Sequence, residues 1–267
     1  MTTAALKFLA PSDDVPVYYA SVGGEQAKLD LQGQFEEVVV EIKNGRPDRN
    51  SHSLDAQGFQ LVDHRSAVTD FYDPMQITDI YEQEVRHLVA KATGANRVVV
   101  FDHTHRADSK ETRTKLKTRE PSSVVHNDYT DKSARQRVSD ILPGDEAEKL
   151  ICRRFAIINV WRAIRHPAIT SQLALCDATS LSPDDVVPVE RKAKDRIGEL
   201  MMATYNPACT WFHFPNMQTD EALLLKTYDS ATDGRARFSL HTAFDVPNPP
   251  DDIKPRESLE TRTFAFF

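Results

Sequence analysis

Short runs rich in β-branched and aromatic side chains recur along most of this chain. Such runs are typical of β-strands, and turn or polar segments separate them. The pattern predicts strands at 15–20, 35–43, 97–101, 124–126, 155–161, 210–214, 222–228, 238–244 and 258–267. So many short strands favour a sandwich or jelly roll.

Helical spacing is clearest at 79–93, where apolar side chains recur at three- and four-residue steps. Asp79 and Glu82 predict a capping pair at its start, and Gly94 predicts its end. A second helix is predicted at 182–202, with Pro188 near its start. The chain is therefore expected to be mainly β, with helices on one outer face.

Composition excludes several function classes. The 267 residues carry 33 basic and 40 acidic side chains, a net charge of −7, which argues against nucleic-acid or acidic-membrane partners. Glycine is scarce, at 9 residues, and none of them form a dinucleotide-binding or P-loop motif. The three cysteines form no C-x-x-C pair, which predicts neither a disulfide framework nor a zinc knuckle.

No apolar run is long enough to span a bilayer, and the first residues lack a secretory pattern. We therefore expect a cytoplasmic protein. Its expected partner is a small-molecule substrate. With no linker or repeat in the sequence, we expect a single domain over 1–267. Pairing of two copies through a strand edge, giving a homodimer, is compatible with the sequence.

His126 and Asp128 lie two residues apart at the end of a predicted strand. In extended backbone, residues i and i+2 point to the same side. His241 lies inside another predicted strand more than a hundred residues later. Two histidines and one carboxylate form the facial triad of non-haem Fe(II) oxygenases. The alternative is a turn aspartate and a core histidine with structural roles.

The final strand carries a second set of polar residues. Arg256 and Ser258 share one face with Arg262 if the strand alternates regularly. Arginine and serine together can hold a carboxylate through charge-assisted hydrogen bonds, as the far end of 2-oxoglutarate requires. Arg262 is the competing anchor, and a surface salt bridge is the structural alternative for Arg256.

Four residues are candidates for a substrate pocket. Asn159 and Trp161 face together on the strand predicted at 155–161, Arg162 follows them, and Tyr228 lies on the strand before His241. Buried structural roles are the alternative for each of them.

Two other functions remain open from the residues alone. His103 and His105 have the H-x-H spacing of zinc-dependent hydrolases, although the alternating strands and helices of such a barrel are not evident. The third functional hypothesis, beside the oxygenase and the zinc hydrolase, is a jelly-roll binding protein without a metal. An intact triad argues against it.

Several short blocks appear in a fixed order along the chain. They are Asp70-Phe71, Thr93-Gly94-Ala95, Val98-Val99-Val100-Phe101-Asp102-His103, His126-Asn127-Asp128-Tyr129-Thr130, Asn159-Val160-Trp161-Arg162, Leu175-Cys176-Asp177, Asp220-Glu221-Ala222, Tyr228-Asp229-Ser230, His241-Thr242-Ala243-Phe244 and Arg256-Glu257-Ser258-Leu259-Glu260-Thr261-Arg262. With these blocks the chain resembles the gibberellin desaturase and cephem methoxylase-like family of hydroxylase/desaturase proteins. The family-like region is 56–267, and 1–55 is a strand-rich extension packed on it.

The resemblance implies a double-stranded β-helix (cupin-like jelly roll) and an oxygenase that uses Fe(II), 2-oxoglutarate and O2 in secondary metabolism. It implies that His126, Asp128 and His241 are the iron ligands and catalytic residues, with Arg256 and Ser258 as the co-substrate anchor. The reaction expected from it is removal of hydrogen from a C–H bond, which leads to hydroxylation, desaturation or ring closure such as aziridine formation.

Overall fold

The computed structural model describes residues 1–194, 196–247 and 252–267. Within these ranges the strands are β1 (Thr2–Leu9), β2 (Val17–Tyr19), β3 (Asp30–Gln32), β4 (Phe35–Asn44), β5 (Phe59–Asp63), β6 (Arg97–Ala107), β7 (His126–Asn127), β8 (Phe155–Ala163), β9 (Gln172–Cys176), β10 (Val186–Ala193), β11 (Arg196–Ala203), β12 (Trp211–His213), β13 (Glu221–Asp229), β14 (His241–Phe244) and β15 (Glu257–Phe266). The α-helices are α1 (Pro74–Gln76), α2 (Glu82–Thr93), α3 (Lys110–Leu116), α4 (Asp131–Ile141) and α5 (Gly144–Ile151).

The strands form two sheets whose connections define a jelly roll. The smaller sheet has the order β5-β13-β8-β15-β6, and the larger contains the run β12-β9-β14-β7. From β6 to β9, each strand lies in the opposite sheet to the one before it, and the alternation resumes from β12 to β15. Eight strands arranged in this way are the core of a double-stranded β-helix, which confirms the predicted fold class.

The smaller sheet is covered on both faces. One face of β8 packs Ile158 and Val160 against Val85 and Val89 of α2. On the other face, Trp161 packs with Leu175 of the larger sheet and with Phe214, which directly follows β12. Burial on both sides explains why β8 and β13 are apolar over most of their length instead of alternating cleanly.

The predicted helix at 79–93 exists but begins earlier than expected. Asp73 caps α1, its side chain accepting a hydrogen bond from the Met75 amide at 2.9 Å, and a π-helical turn at Ile77–Tyr81 joins α1 to α2. Asp79 therefore lies inside this turn and is not a cap. The predicted end is confirmed, since Gly94 adopts the left-handed conformation with φ of 73°.

The predicted helix at 182–202 is wrong. This segment forms the antiparallel strands β10 and β11, and β11 continues the larger sheet to β7. β10 also pairs with β2, but only over Glu190–Lys192, so Pro188 interrupts no pairing on that side. Non-local strand pairing has overridden the helix formers in the segment.

Helices α3, α4 and α5 were not predicted. Thr130 begins α4 through a reciprocal capping arrangement with Ser133, and the helix lies over the end of the sheets near His126. Across the described ranges, no helix combines the length and the apolar character needed to cross a membrane.

Candidate active site

Strand register brings two distant histidines side by side. His126 of β7 is the direct antiparallel partner of His241 of β14, and their ring centroids are 4.4 Å apart. Asp128 follows β7 two residues after His126. One ligand atom from each of the three residues lies within 4.8 Å of the others, the one such group of three in the described part of the chain.

The two imidazoles are held neutral. Nδ1 of His126 donates a hydrogen bond to the Val124 carbonyl at 2.8 Å, which leaves Nε2 as the atom with a free lone pair. Burial, and secondly the neighbouring His241, lower the pKa of His126 to about 4. Burial also lowers the pKa of His241. Neutral imidazole is the form that coordinates a metal.

Asp128 is fixed by two donors. Its Oδ2 accepts hydrogen bonds from Asn159 Nδ2 at 2.8 Å and from Arg262 Nε at 3.0 Å. Its Oδ1 lies 3.6 Å from His126 Nε2. Burial raises the pKa of Asp128, but the charge of Arg262 and the other neighbours outweigh it, so the pKa lies well below its usual range. The carboxylate is therefore ionised and oriented.

This donor set fits Fe(II). Two neutral nitrogen atoms and one carboxylate oxygen converge from one side, and such a facial set leaves coordination positions open for other ligands. The hydrogen bonds to His126 and Asp128 fix the direction of each donor, as the outer partners of metal ligands commonly do.

Arg262 is fully occupied within the protein. It donates to Asp128 and to Asp102, the latter at 2.7 Å from Nη1, and it forms an ion pair with Glu260. A guanidinium already shared among three carboxylates has little capacity for a further anion.

Arg256 and Ser258 have unused donors. Arg256 is 1% exposed and donates from Nη1 to the Ser171 carbonyl, but its Nε and the Ser258 hydroxyl are buried and lack a hydrogen-bond partner among the described residues. Burial lowers the pKa of Arg256 to about 10, with Asp108 raising it in part. A buried cation with a free donor beside a free hydroxyl is suited to an incoming carboxylate.

The four pocket candidates divide into two pairs. Asn159 holds Asp128, and Trp161 lies on the same face of β8, with its ring 5.6 Å from the Arg256 guanidinium. Arg162 faces the opposite side, where it donates to the carbonyls of His64 and Thr219. We therefore remove Arg162 from the pocket, because neighbouring residues of a strand point to opposite faces.

Tyr228 is also removed from the pocket. Its hydroxyl donates to Asp131 Oδ1 at 2.7 Å, and its ring packs on Phe155 in the core beneath α4. Burial, and secondly the hydrogen bond to Asp131, raise its pKa to about 12.

The His103 and His105 pair has structural partners. Nδ1 of His103 lies 2.9 Å from the Thr261 hydroxyl, and Nε2 of His105 lies 2.7 Å from the Phe71 carbonyl. The His105 ring stacks on Tyr72. These contacts lie on the outer face of the smaller sheet, so the pair does not meet the triad.

A cavity of about 690 Å³ opens in front of the triad, and sequence reasoning missed part of its wall. His126, Asp128 and Arg262 line it together with Arg106, Arg119 and Arg191. One signal was available, since Asp102, Thr104 and Arg106 alternate along β6 and pair with Arg262, Glu260 and Ser258 of β15. The predicted strand ended at 101 and did not reach them.

Comparison with known proteins identifies the family. Residues 6–266 match the model of a family described as "Oxidoreductase/YMDC permease-like domain". The hydroxylase/desaturase CTB9 of Cercospora beticola is 35% identical, covering 89% of this chain and 79% of the relative. The Fe(II)/2-oxoglutarate-dependent dioxygenase nvfI of Aspergillus novofumigatus is 31% identical, covering 85% of this chain and 82% of the relative. The chain belongs to this oxidoreductase family and to the Fe(II)/2-oxoglutarate-dependent hydroxylases and desaturases.

Solved structures agree with this family. The iron and alpha-ketoglutarate-dependent endoperoxidase NvfI superimposes with a TM-score of 0.84 at 26% identity, covering 99% of this chain and 97% of that one. The chain is thus an Fe(II)/2-oxoglutarate-dependent oxygenase with a jelly-roll core and a small-molecule substrate. Its cofactors are Fe(II), 2-oxoglutarate as co-substrate and O2.

Proposed function

We propose that His126, Asp128 and His241 hold one Fe(II), and that 2-oxoglutarate binds beside it with its distal carboxylate on Arg256 and Ser258. The observation that carries the proposal is the convergence of three potential ligand atoms to within 4.8 Å of one another from distant parts of the chain. Bound Fe(II) supplies oxidative decarboxylation of 2-oxoglutarate by O2, coupled to removal of hydrogen from a substrate C–H bond.

The surrounding residues fix the geometry of the proposed metal site. The Val124 carbonyl holds His126 in the tautomer that presents Nε2. Arg262 and Asn159 hold Oδ2 of Asp128, so Oδ1 is the oxygen that remains for the metal. We assign Arg262 to this positioning task and not to the co-substrate.

The proposed anchor matches the chemistry of 2-oxoglutarate. Arg256 Nε and the Ser258 hydroxyl are two buried donors that lack protein acceptors in the described ranges. A carboxylate would accept from both and would offset the cost of burying the Arg256 charge. Trp161 packs beside the guanidinium and keeps water from this end of the site.

The substrate is proposed to occupy the cavity in front of the triad, whose volume suits a small organic molecule. Its position relative to the metal decides which C–H bond reacts and whether hydroxylation, desaturation or ring closure follows, because these outcomes differ by small shifts in position. We further propose that the chain is a single domain, since one family model matches residues 6–266, and that the enzyme is cytoplasmic, since its three cysteines are free.

Anaerobic spectroscopy tests the proposal. Addition of 2-oxoglutarate to the Fe(II)-loaded protein should produce a metal-to-ligand absorption band, and admission of O2 should then yield succinate. A zinc hydrolase would retain zinc and ignore 2-oxoglutarate. A metal-free binding protein would show neither the band nor succinate. Either of these results would overturn the proposed function.

A further inference from the structure

Four arginines of the cavity in front of the triad form no ion pair with a carboxylate of the described residues: Arg106, Arg119, Arg137 and Arg191. Arg106 and Arg119 are partners in an isolated parallel bridge, so they lie next to each other on one wall. Arg191 of β10 is paired with Tyr18 of β2, and its guanidinium lies 6.0 Å from the Tyr18 ring. Tyr18 and Arg191 line the same cavity.

Arg137 lies over the Phe101 ring, 5.3 Å from its centroid, whereas the remaining cations of the cavity have acidic partners. Arg196 lies 3.5 Å from Asp140, Lys132 pairs with Glu199, and Arg262 is shared among three carboxylates. Among the residues that the structure describes, no carboxylate forms an ion pair with Arg119 or Arg191. Asp102 is the acidic neighbour of Arg119, but it pairs with Arg262. The guanidinium groups of Arg119 and Arg191 are thus half-buried and have neither a carboxylate nor a hydrogen-bond acceptor among the described residues.

The crowding of like charge has an electrostatic cost. Burial lowers the pKa of Arg119, and Arg106 and Arg262 lower it further. Burial likewise lowers the pKa of Arg191, with Arg262 and Arg119 adding to the effect. An anion between the two arginines would relieve both the repulsion and the loss of hydration.

We infer that Arg119 and Arg191 form a binding site for a carboxylate of the organic substrate, so that this oxygenase acts on a small carboxylic acid. The inference rests on the proposed function, since it assumes that the cavity in front of the triad receives the substrate. The acid group would bind at the cavity wall, and the remainder of the molecule would extend toward His126 and Asp128, which line the same space.

This site is separate from the proposed co-substrate anchor. Arg256 and Ser258 lie on β15 and the residues before it, and they are not among the residues that line the cavity. Arg106 pairs with Ser258 across the sheet and therefore lies between the two sites. For this reason Arg119 and Arg191, rather than Arg106, are the residues to test.

Matched acids and amides test the inference on the metal-free protein. Carboxylic acids of about four to twelve carbons would each be compared with the corresponding primary amide by isothermal titration calorimetry. We expect at least one acid to bind at least tenfold more tightly than its amide. Arg119→Gln and Arg191→Gln should each weaken that acid about tenfold or more and leave amide binding unchanged.

Arg196→Gln is the matched control, because it removes the same charge from the same cavity but from an arginine that already has a partner. It should change acid binding less than twofold. No acid preference in the wild-type protein, or equal losses in all three variants, would overturn the inference.

A separate titration distinguishes this inference from the proposed function. If Arg119→Gln or Arg191→Gln abolishes 2-oxoglutarate binding, the arginines serve the co-substrate and the inference fails, whereas the oxygenase assignment stands. If the wild-type protein binds the acid but forms no Fe(II) and 2-oxoglutarate complex, the proposed function fails instead.

Discussion

At the scale of single residues, Asp128 connects the proposed metal site to the smaller sheet. Its side chain reaches Asn159 of β8 and Arg262 of β15, while the two histidines come from the larger sheet. The hydrogen bonds of Asp128 thus connect the triad, which is carried by the larger sheet, to the smaller sheet. Small changes in how the sheets pack would therefore alter the distance between Asp128 and the histidines.

Replacement of any one triad residue by alanine should abolish stoichiometric iron binding. His126→Ala, Asp128→Ala and His241→Ala each leave two protein ligands, too few for this open site. Anaerobic Fe(II) titration should show about one equivalent for the wild-type protein and no measurable site in the variants.

His213→Asn is a suitable control for this titration. His213 is also a buried histidine, but Nδ1 lies 2.8 Å from Gln172 Oε1 and the residue is not one of the converging ligands. This variant should keep the full equivalent of iron. A triad variant that still bound one equivalent would remove that residue from the ligand set.

Arg256→Ala should raise the concentration of 2-oxoglutarate needed for half-maximal turnover by roughly 10- to 100-fold, the effect of losing a hydrogen bond to a charged group worth about 1.5–3 kcal/mol. Iron affinity should not change.

Arg262→Gln should weaken iron affinity by roughly 10- to 100-fold, because Asp128 loses a donor, and should leave the 2-oxoglutarate requirement unchanged.

Steady-state kinetics and Fe(II) titration separate these two effects. If Arg262→Gln raises the 2-oxoglutarate requirement and Arg256→Ala does not, Arg262 is the anchor and the assignments of the two residues are reversed.

Residue types and spacing placed His126 and Asp128 on one side of an extended strand, but they left structural roles open, and it was the family resemblance that implied the set of three with His241. Residue types and spacing could not predict which arginine of this region has a donor available for 2-oxoglutarate. Arg256, just before β15, and Arg262 on it fall in the same alternation. They differ because folding brings Asp102 and Asp128 to Arg262, which also pairs with Glu260 on its own strand. Arg162 was wrongly assigned to the substrate pocket. It directly follows Trp161 on β8, so its side chain points to the opposite face of the sheet.

At the scale of elements, helix α2 ends because Gly94 adopts a left-handed conformation. Gly94→Ala should destabilise the protein by about 1 kcal/mol, since a side chain disfavours positive φ. No heavy atom lies within 4 Å of the added Cβ, so the effect isolates the backbone. Urea unfolding of the metal-free protein measures it.

Gly144→Ala is the matched substitution at the start of α5. Its Cβ would also meet nothing within 4 Å, but φ is not positive there. We expect unchanged stability or a gain of about 0.5–1 kcal/mol. Equal destabilisation by both substitutions would contradict the conformational explanation for Gly94.

Elements with strong local signals were predicted well, and those that depend on distant partners were not. Gly94 and the apolar spacing marked α2, whereas β10 and β11 owe their form to pairing with β2 and β7. The capping arrangement of α4 uses Ser133 where glutamate or glutamine is usual, which weakens its signal in the sequence.

At the scale of the whole molecule, buried histidines make stability depend on pH. Burial lowers the pKa of His213 to about 4 in the folded state, against 6.5 for an exposed histidine. Between pH 6.5 and pH 4, His213 is protonated in the unfolded chain but not in the folded protein. The free energy of unfolding therefore falls as pH decreases through this range. The loss from His213 amounts to at most about 2 kcal/mol between pH 7 and pH 5.

His213→Asn removes this titration while keeping a donor near Gln172. The metal-free variant should therefore lose less stability than the wild-type protein between pH 7 and pH 5, measured by urea unfolding at each pH. Identical pH dependence in both proteins would show that His213 does not contribute.

The overall architecture was accessible from the sequence because its strands are short and locally marked. The cavity could not be predicted from the sequence. Its walls come from segments that are far apart along the chain, and only strand pairing brings them together: β2, β6, β10 and the segment around Arg119.

The central claim is that one metal ion binds to His126, Asp128 and His241 together. Anomalous diffraction from crystals grown anaerobically with Fe(II) tests it most directly. The account predicts a single strong peak bonded to both imidazoles and to the Asp128 carboxylate. A peak at another site, such as His103 and His105, or a peak that lacks one of the three ligands, would contradict it.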